Sequence, residues 1–200
     1  PKGEVVLNFH GGPGGCCKKS HAEYFNLKKQ RIIMFDQRGC NRSESEDITA
    51  LNDTKRLIKD AKRLLEYLNI NEPVIVSGAS WGATLALLFA EKYPELTKQI
   101  CVFSVFLARK EDRDWMLKQS GLFYPDLLEE IYRQSEGENP YTHYAKKIFS
   151  EDLGAIQTAL KYMVQYEYLL GNTNAAFNDV RIDNAAINSA RISLYYAANR

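Results

Sequence analysis

The sequence predicts an α/β fold on an open, mostly parallel sheet, and three observations carry that prediction. Short β-branched or aromatic runs alternate with longer helical patterns through residues 4–106. These short runs end at glycines or polar turn residues, as buried strands do. Near residue 108 the strand-like runs stop, and a polar, tyrosine-rich, helical pattern takes over.

Four runs are candidate strands: "EVVLNF" (4–9), "RIIMFD" (31–36), "PVIVSG" (73–78) and "QICVFSVF" (99–106). They are too short for helices and are expected to be buried on both faces, as in a parallel sheet. Between the second and third, Leu57, Ile58, Ala61, Leu64, Leu65 and Leu68 recur with helical period, and Asn52, Asp53 and Thr54 offer capping oxygens. Between the third and fourth, "WGATLALLFAEKYPE" reads as a helix that Pro94 stops. Loop signals at "SEGENP" and "LLGNTN" divide the later region. The expected organisation is an α/β core over 1–108 and an inserted helical cap over 109–200. Most of the cap tyrosines are expected to pack helix against helix.

With 200 residues, 45% of them hydrophobic, the chain can bury one core and carry a sizeable insertion. Charged residues make up 26% and the net charge is +1, with no basic stripe, so nucleic acid is not an expected partner. No apolar run is long enough to span a bilayer, and "PKGEVVLNFH" is not a signal peptide. Cys16, Cys17, Cys40 and Cys101 form no C-x-x-C pair, and His10, His21 and His143 are the only imidazoles. Reduced thiols in a cytoplasmic protein with no metal and no cofactor are expected.

The residues that carry chemistry begin with Gly78-Ala79-Ser80-Trp81-Gly82, a G-x-S-x-G sequence. It follows a predicted strand and opens a predicted helix, the placement a nucleophilic serine of this type needs. Small residues must flank so tight a turn, and the helix N-terminus favours developing negative charge beside Ser80. "HGGPGG" (10–15) follows the first strand. Acyl transfer needs donors for an oxyanion, and the Gly12 amide with the Trp81 amide could supply them. The same glycines could instead form a plain turn. They do not make a phosphate loop, because "GGPGGCCKKS" breaks the G-x-x-x-x-G-K-[ST] pattern at its cysteines. In "DQRGCNRS" (36–43), Asp36 and Arg38 read as an ion-paired turn holding the glycine loops together rather than as catalytic groups.

"HGGPGG", "FDQRGCNRS" and "GASWGATLALLFAEKYPE", in this order and spacing, resemble the proline iminopeptidases (prolyl aminopeptidases). These are serine peptidases of the α/β-hydrolase fold that release N-terminal proline. The likeness continues through "FLARKEDRDWMLKQSGLFYPDLLEEI", "YMVQYE" and "SARISLYY". It implies that Ser80 is the nucleophile, that Gly12 and Trp81 line the oxyanion hole, and that Glu167 binds the substrate's free α-ammonium group. It implies small peptides with N-terminal proline as substrates, and no metal or organic cofactor.

The chain departs from the family pattern at four points. Asn41 replaces a glycine, which asparagine's tolerance of left-handed backbone accommodates. Tyr166 replaces a tryptophan beside Glu167, a change expected at the pocket wall. Ser193 stands where the family has a second amine-binding glutamate. The family's triad Asp and His follow the cap, whereas His143 is the one histidine after Ser80 and lies in a cap segment. On that ground the chain is expected to be part of a longer protein, or a shortened relative, inactive alone. Two other readings stay open. Ser193 motivates an esterase or an aminopeptidase of different preference. The missing partners motivate a non-catalytic, hydrolase-like binding protein.

Overall fold

The computed structural model describes residues 3–171 and 182–199, in two compact units, Pro1–Ala108 and Arg109–Arg200. Residues 172–174 of the "LLGNTN" loop signal lie outside the described residues.

The first unit is built on four parallel strands, β1 (Glu4–Phe9), β2 (Gln30–Met34), β3 (Val74–Ala79) and β4 (Thr97–Phe103), in the order β2-β1-β3-β4. Helix α1 (Thr54–Tyr67) joins β2 to β3, and α2 (Trp81–Lys92) joins β3 to β4. Both connections run the same way across the sheet, so right-handed crossovers put both helices on one face, where they touch each other. The β1–β2 connection runs the opposite way. The two directions part at the C-terminal ends of β1 and β3, and this is the crevice where open α/β sheets place ligands.

The local sequence accounts for each element. Helix α1 starts where the Asp53 carboxylate accepts from the Arg56 amide. It buries Leu57, Ile58, Ala61 and Leu65 as one stripe, with Leu64 only partly covered. Helix α2 is apolar almost all round and packs on β1, β3 and β4. β1, at the centre, is buried from Val5 to Phe9.

Two of the expected strands differ from their predicted form. β2 ends at Met34, two residues early, because Asp36 turns inward to bind loop groups instead of extending the ladder. β4 ends at Phe103, and Ser104 takes a left-handed conformation (φ 48°) that breaks the strand. β4 is also not buried on both faces: Ile100 and Phe103 are each 42% exposed. It lies at the edge of the described sheet, so its apolar side chains lack the second covering layer that β1 has.

The second unit is helical: α3 (Lys110–Asp114), α4 (Pro125–Gln134), α5 (Pro140–Ile148), α6 (Leu153–Ala159), α7 (Gln165–Gly171) and α8 (Asn184–Ala198). Pro125 and Pro140 open their helices, where a missing N–H costs nothing. Asn139, Asp152 and Asp183 cap α5, α6 and α8 through their side chains. Its core gathers Ile131, Tyr144, Ile148, Leu160, Met163, Tyr166 and Leu194, so Tyr144 and Tyr166 do pack helix against helix. Among the described residues, no helix is long and apolar enough to cross a membrane.

Candidate active site

Ser80 sits between β3 and α2 with φ 54° and ψ −122°. A non-glycine residue is strained there, by about 1–3 kcal/mol. The backbone is held from both sides. The Ser80 amide donates to the Phe103 carbonyl (3.3 Å), and the Ser80 carbonyl accepts from the amides of Ala83 (2.9 Å) and Thr84 (3.3 Å). The serine itself is exposed, while Trp81 and Gly82 behind it are buried. The strained turn therefore presents the hydroxyl at the N-terminus of α2, above the β1–β3 crevice.

The glycines make this approach possible. A Cβ on Gly78 would meet the Gly82 backbone, and one on Gly82 the Phe9 carbonyl, both well inside 3.0 Å. A Cβ on Gly11 would lie 3.8 Å from the Ser80 Cβ, so the glycine loop passes close to the serine at Gly11. Gly12 follows at φ 135°, a conformation only glycine adopts readily, and a Cβ there would meet the Gly15 nitrogen at 2.6 Å. Ser80, Trp81 and the glycine loop are thus assembled in the first unit.

Behind them lies a buried network. Gln37 donates its amide to His10 Nε2 (2.9 Å) and its Nε2 to the His10 carbonyl (2.8 Å), and its Oε1 accepts from Trp81 Nε1 (3.0 Å). A backbone N–H only donates, so His10 Nε2 is the acceptor and Nδ1 carries the proton, donated to the Gly11 carbonyl (2.8 Å). Burial pushes His10 below the usual histidine range, which keeps it in this neutral form. Both ring nitrogens are committed, so His10 is structural.

The turn is ion-paired, but the ion pairs seen run from Asp36 to Arg42 and from Arg38 to Asp60. Arg38 forms a two-pronged bond with Asp60 on α1 (3.0 and 2.8 Å). Asp36 accepts from the Cys17 amide (2.7 Å), Asn41 Nδ2 (3.0 Å) and Arg42 Nε (2.7 Å), so it ties the end of the glycine loop to residues 41–42. Asn41 is left-handed (φ 43°). Burial alone would raise the Asp36 carboxyl, but Arg42, the Cys17 amide and Asn41 outweigh it and bring it to about 2. A depressed carboxyl stabilises the fold above its unfolded pKa of 3.8 and loses that contribution as pH falls towards about 2. The stability advantage of the parent over Asp36→Asn should therefore shrink by about 2 kcal/mol between pH 5 and pH 2. Urea unfolding of both proteins at the two pH values measures it.

Glu167 lies on α7 in the second unit. Ser193 Oγ, on α8, donates to its Oε2 (3.3 Å), and the Tyr141 hydroxyl, on α5, also donates to it. Both partners are neutral. Loss of water around the carboxylate raises Glu167 to about 7 against the lowering effect of these two bonds, although the residue keeps some solvent contact. Burial and the nearby Glu167 push the Tyr141 phenol up in turn. Tyr141 also lines an open cavity of about 310 Å³ with Lys110, Arg113, Asp114 and Asn139. Tyr166 is not at a pocket wall: it is fully buried, its hydroxyl bonded to Ser120 and the Met116 carbonyl. His143, on α5, sits 3.7 Å from Glu138.

Sequence reasoning missed Gln37, Gly11 and Tyr141. Gln37 had a signal, as a polar residue just past a strand end inside a recognised motif, but its partners are 27 and 44 residues away.

Relatives bear on what this arrangement is. A proline iminopeptidase from Arabidopsis thaliana is 31% identical over 208 residues, covering 100% of this chain and 54% of that protein. One from Xylella fastidiosa is 35% identical over 127 residues, covering 63% of this chain and 40% of that protein. The chain thus spans about half the length, or less, of these curated relatives. Among solved structures, a proline iminopeptidase-related protein from Thermus thermophilus superposes with a TM-score of 0.54 at 22% identity, covering 86% of this chain and 59% of that one. An alpha/beta hydrolase enzyme from a deep-sea metagenome gives 0.53 at 20% identity, covering 98% and 64%. At these identities the superpositions speak to the fold alone. The family model described as alpha/beta hydrolase fold matches residues 4–161, most of the chain, and by that match, on a parallel sheet of this order, the chain belongs to the alpha/beta hydrolase fold family.

Proposed function

We propose that this chain carries the nucleophile of a serine exopeptidase that releases N-terminal proline from short peptides. The observation that carries the reading is Ser80: an exposed serine on a strained strand-to-helix turn, with the glycine loop passing close by at Gly11. The likeness of the whole of this chain to about half of a proline iminopeptidase supports the substrate class.

In this reading the Ser80 Oγ attacks the carbonyl carbon of the N-terminal residue. Its proton goes to a base and then to the leaving amine, and water hydrolyses the acyl-enzyme. His10 is locked at both nitrogens, so the base is another group. The amides of Gly12 and Trp81 receive the oxyanion. Glu167 takes the substrate's ammonium group: its carboxylate has hydroxyl partners but no counter-charge among the described residues, and a cation supplies one. The helical unit 109–200 acts as the cap that limits substrates to small peptides.

The test is substrate preference and its pH dependence in the full-length protein. Proline arylamide is expected to be favoured over leucine arylamide and p-nitrophenyl acetate. Its 1/KM should rise as pH climbs through about 7, where Glu167 loses its proton. It should fall again above about 8 as the substrate ammonium deprotonates. Glu167→Gln should raise KM roughly 10- to 100-fold and abolish the acid limb. A preference for the ester, with indifference to a free amine, sinks the aminopeptidase reading and favours an esterase. Ser193, a neutral partner of the Glu167 carboxylate, is the residue that makes that outcome worth measuring.

A further inference from the structure

Gln37 uses its side chain on two separate loops, and the partners fix which end faces which. An indole N–H can only donate, so the atom facing Trp81 is the Gln37 oxygen; a carbonyl can only accept, so the atom facing His10 is the Gln37 nitrogen. Gln37 is 3% exposed, and His10 and Trp81 are buried with it, so water cannot replace either bond. The His10 carbonyl belongs to the peptide that enters Gly11, where an added Cβ would come within 3.8 Å of the Ser80 Cβ. Trp81 is the residue directly after Ser80. One side chain thus grips the entry to the glycine loop with its nitrogen and the far side of the serine turn with its oxygen. No aspartate, leucine or methionine can do this, and glutamate keeps only the oxygen half.

We propose that Gln37 is a positioning residue for the oxyanion site, setting the distance between the glycine-loop amide and the Trp81 amide. This rests on the reading of Ser80 as a nucleophile. Donors stabilise an oxyanion only when they lie about 2.7–3.1 Å from it, and losing one outright costs about 10²–10³ in kcat. Misplacing the pair without deleting either should cost less, roughly 10- to 100-fold. Binding of the ground-state substrate should change little, because the oxyanion does not yet exist there.

The experiment uses the full-length protein with Gln37→Met, Gln37→Glu and Trp81→Phe. For Gln37→Met, kcat on proline arylamide should fall roughly 10- to 100-fold with KM within about twofold. The rate of Ser80 labelling by a fluorophosphonate, whose phosphoryl oxygen occupies the same donors, should fall in parallel. Trp81→Phe removes the indole N–H together with part of a buried ring, and should show the same kcat-against-KM split, smaller in size, once its thermal unfolding shows that it folds. Combining it with Gln37→Met should add little, because both remove one shared bond. Gln37→Glu keeps the bond to Trp81 and should recover part of the labelling rate. Should Gln37→Met fail to fold, Trp81→Phe carries the same test. Unchanged kcat and labelling, or losses in Gln37→Met and Trp81→Phe that multiply, overturns the inference. Full activity in Ser80→Ala would instead overturn the nucleophile reading, so the two failures are distinguishable.

Discussion

Replacing Ser80 with alanine should lower hydrolysis of proline arylamide by the full-length protein by about 10⁴-fold or more, with the fold intact. The residue occupies φ 54° and ψ −122°, and alanine must adopt the same strained backbone, so the exchange relieves none of that strain. The hydrogen bonds that hold the turn use the backbone of Ser80 and survive the change. No side-chain hydrogen bond caps α2 from Ser80, so among the described residues its hydroxyl has no capping bond to lose. Stability should therefore move by no more than about 0.5 kcal/mol, as for an exposed site. Activity should collapse, because the atom that forms the acyl bond is gone and the members of such a site act as a unit. Steady-state kinetics beside thermal unfolding separates the two effects. Activity within tenfold of the parent would show that Ser80 is an ordinary turn residue.

The strands, the two core helices and the serine turn could be read in the sequence because each has a local cause. Short apolar runs and period-3.6 patterns come from side chains within a few residues of one another, and Asp53 and Pro94 mark their helix ends by local chemistry. Features set at long range could not be read that way. Asp36 and Arg38 are two residues apart, and proximity suggested a pair. Their partners, Arg42 and Asp60, are chosen by how β2 delivers them to the glycine loop and to α1. Gln37 was not singled out, since a glutamine has no periodicity to betray it and its partners lie 27 and 44 residues away. The exposure of β4 has the same origin. "QICVFSVF" has the composition of a two-sided buried strand, but burial depends on what covers the sheet edge, and that is not written in the strand. Glu167 was reached through the resemblance. Its hydroxyl partner Tyr141 was not, because it lies 26 positions away in the chain, on the far side of α6.

The glycines of the serine turn set the second large effect: Gly82→Ala should destabilise the first unit by about 3 kcal/mol or more. Gly82 lies in the first turn of α2, where alanine would ordinarily gain about 1 kcal/mol in helix propensity. The new methyl would meet the carbonyls of Phe9 and His10 and the carbonyl carbon of Phe9, all within 3.0 Å. These are backbone atoms at the buried end of the central strand, so they cannot swing aside as a flexible side chain would. Relief requires α2 to lift from β1. That would stretch the Gln37 bond to Trp81 and separate Gly11 from Ser80, so activity should fall even in the fraction that stays folded. Gly137→Ala is the control. It meets nothing within 4 Å, but its φ of 86° strains any side chain, so its cost, about 1 kcal/mol, is that of backbone conformation alone. Chemical denaturation of the two variants should rank Gly82→Ala well below Gly137→Ala, and only Gly82→Ala should slow fluorophosphonate labelling of Ser80. Equal losses in both would mean that α2 does not need to approach β1 this closely, and that the serine turn tolerates a looser seat than its geometry implies.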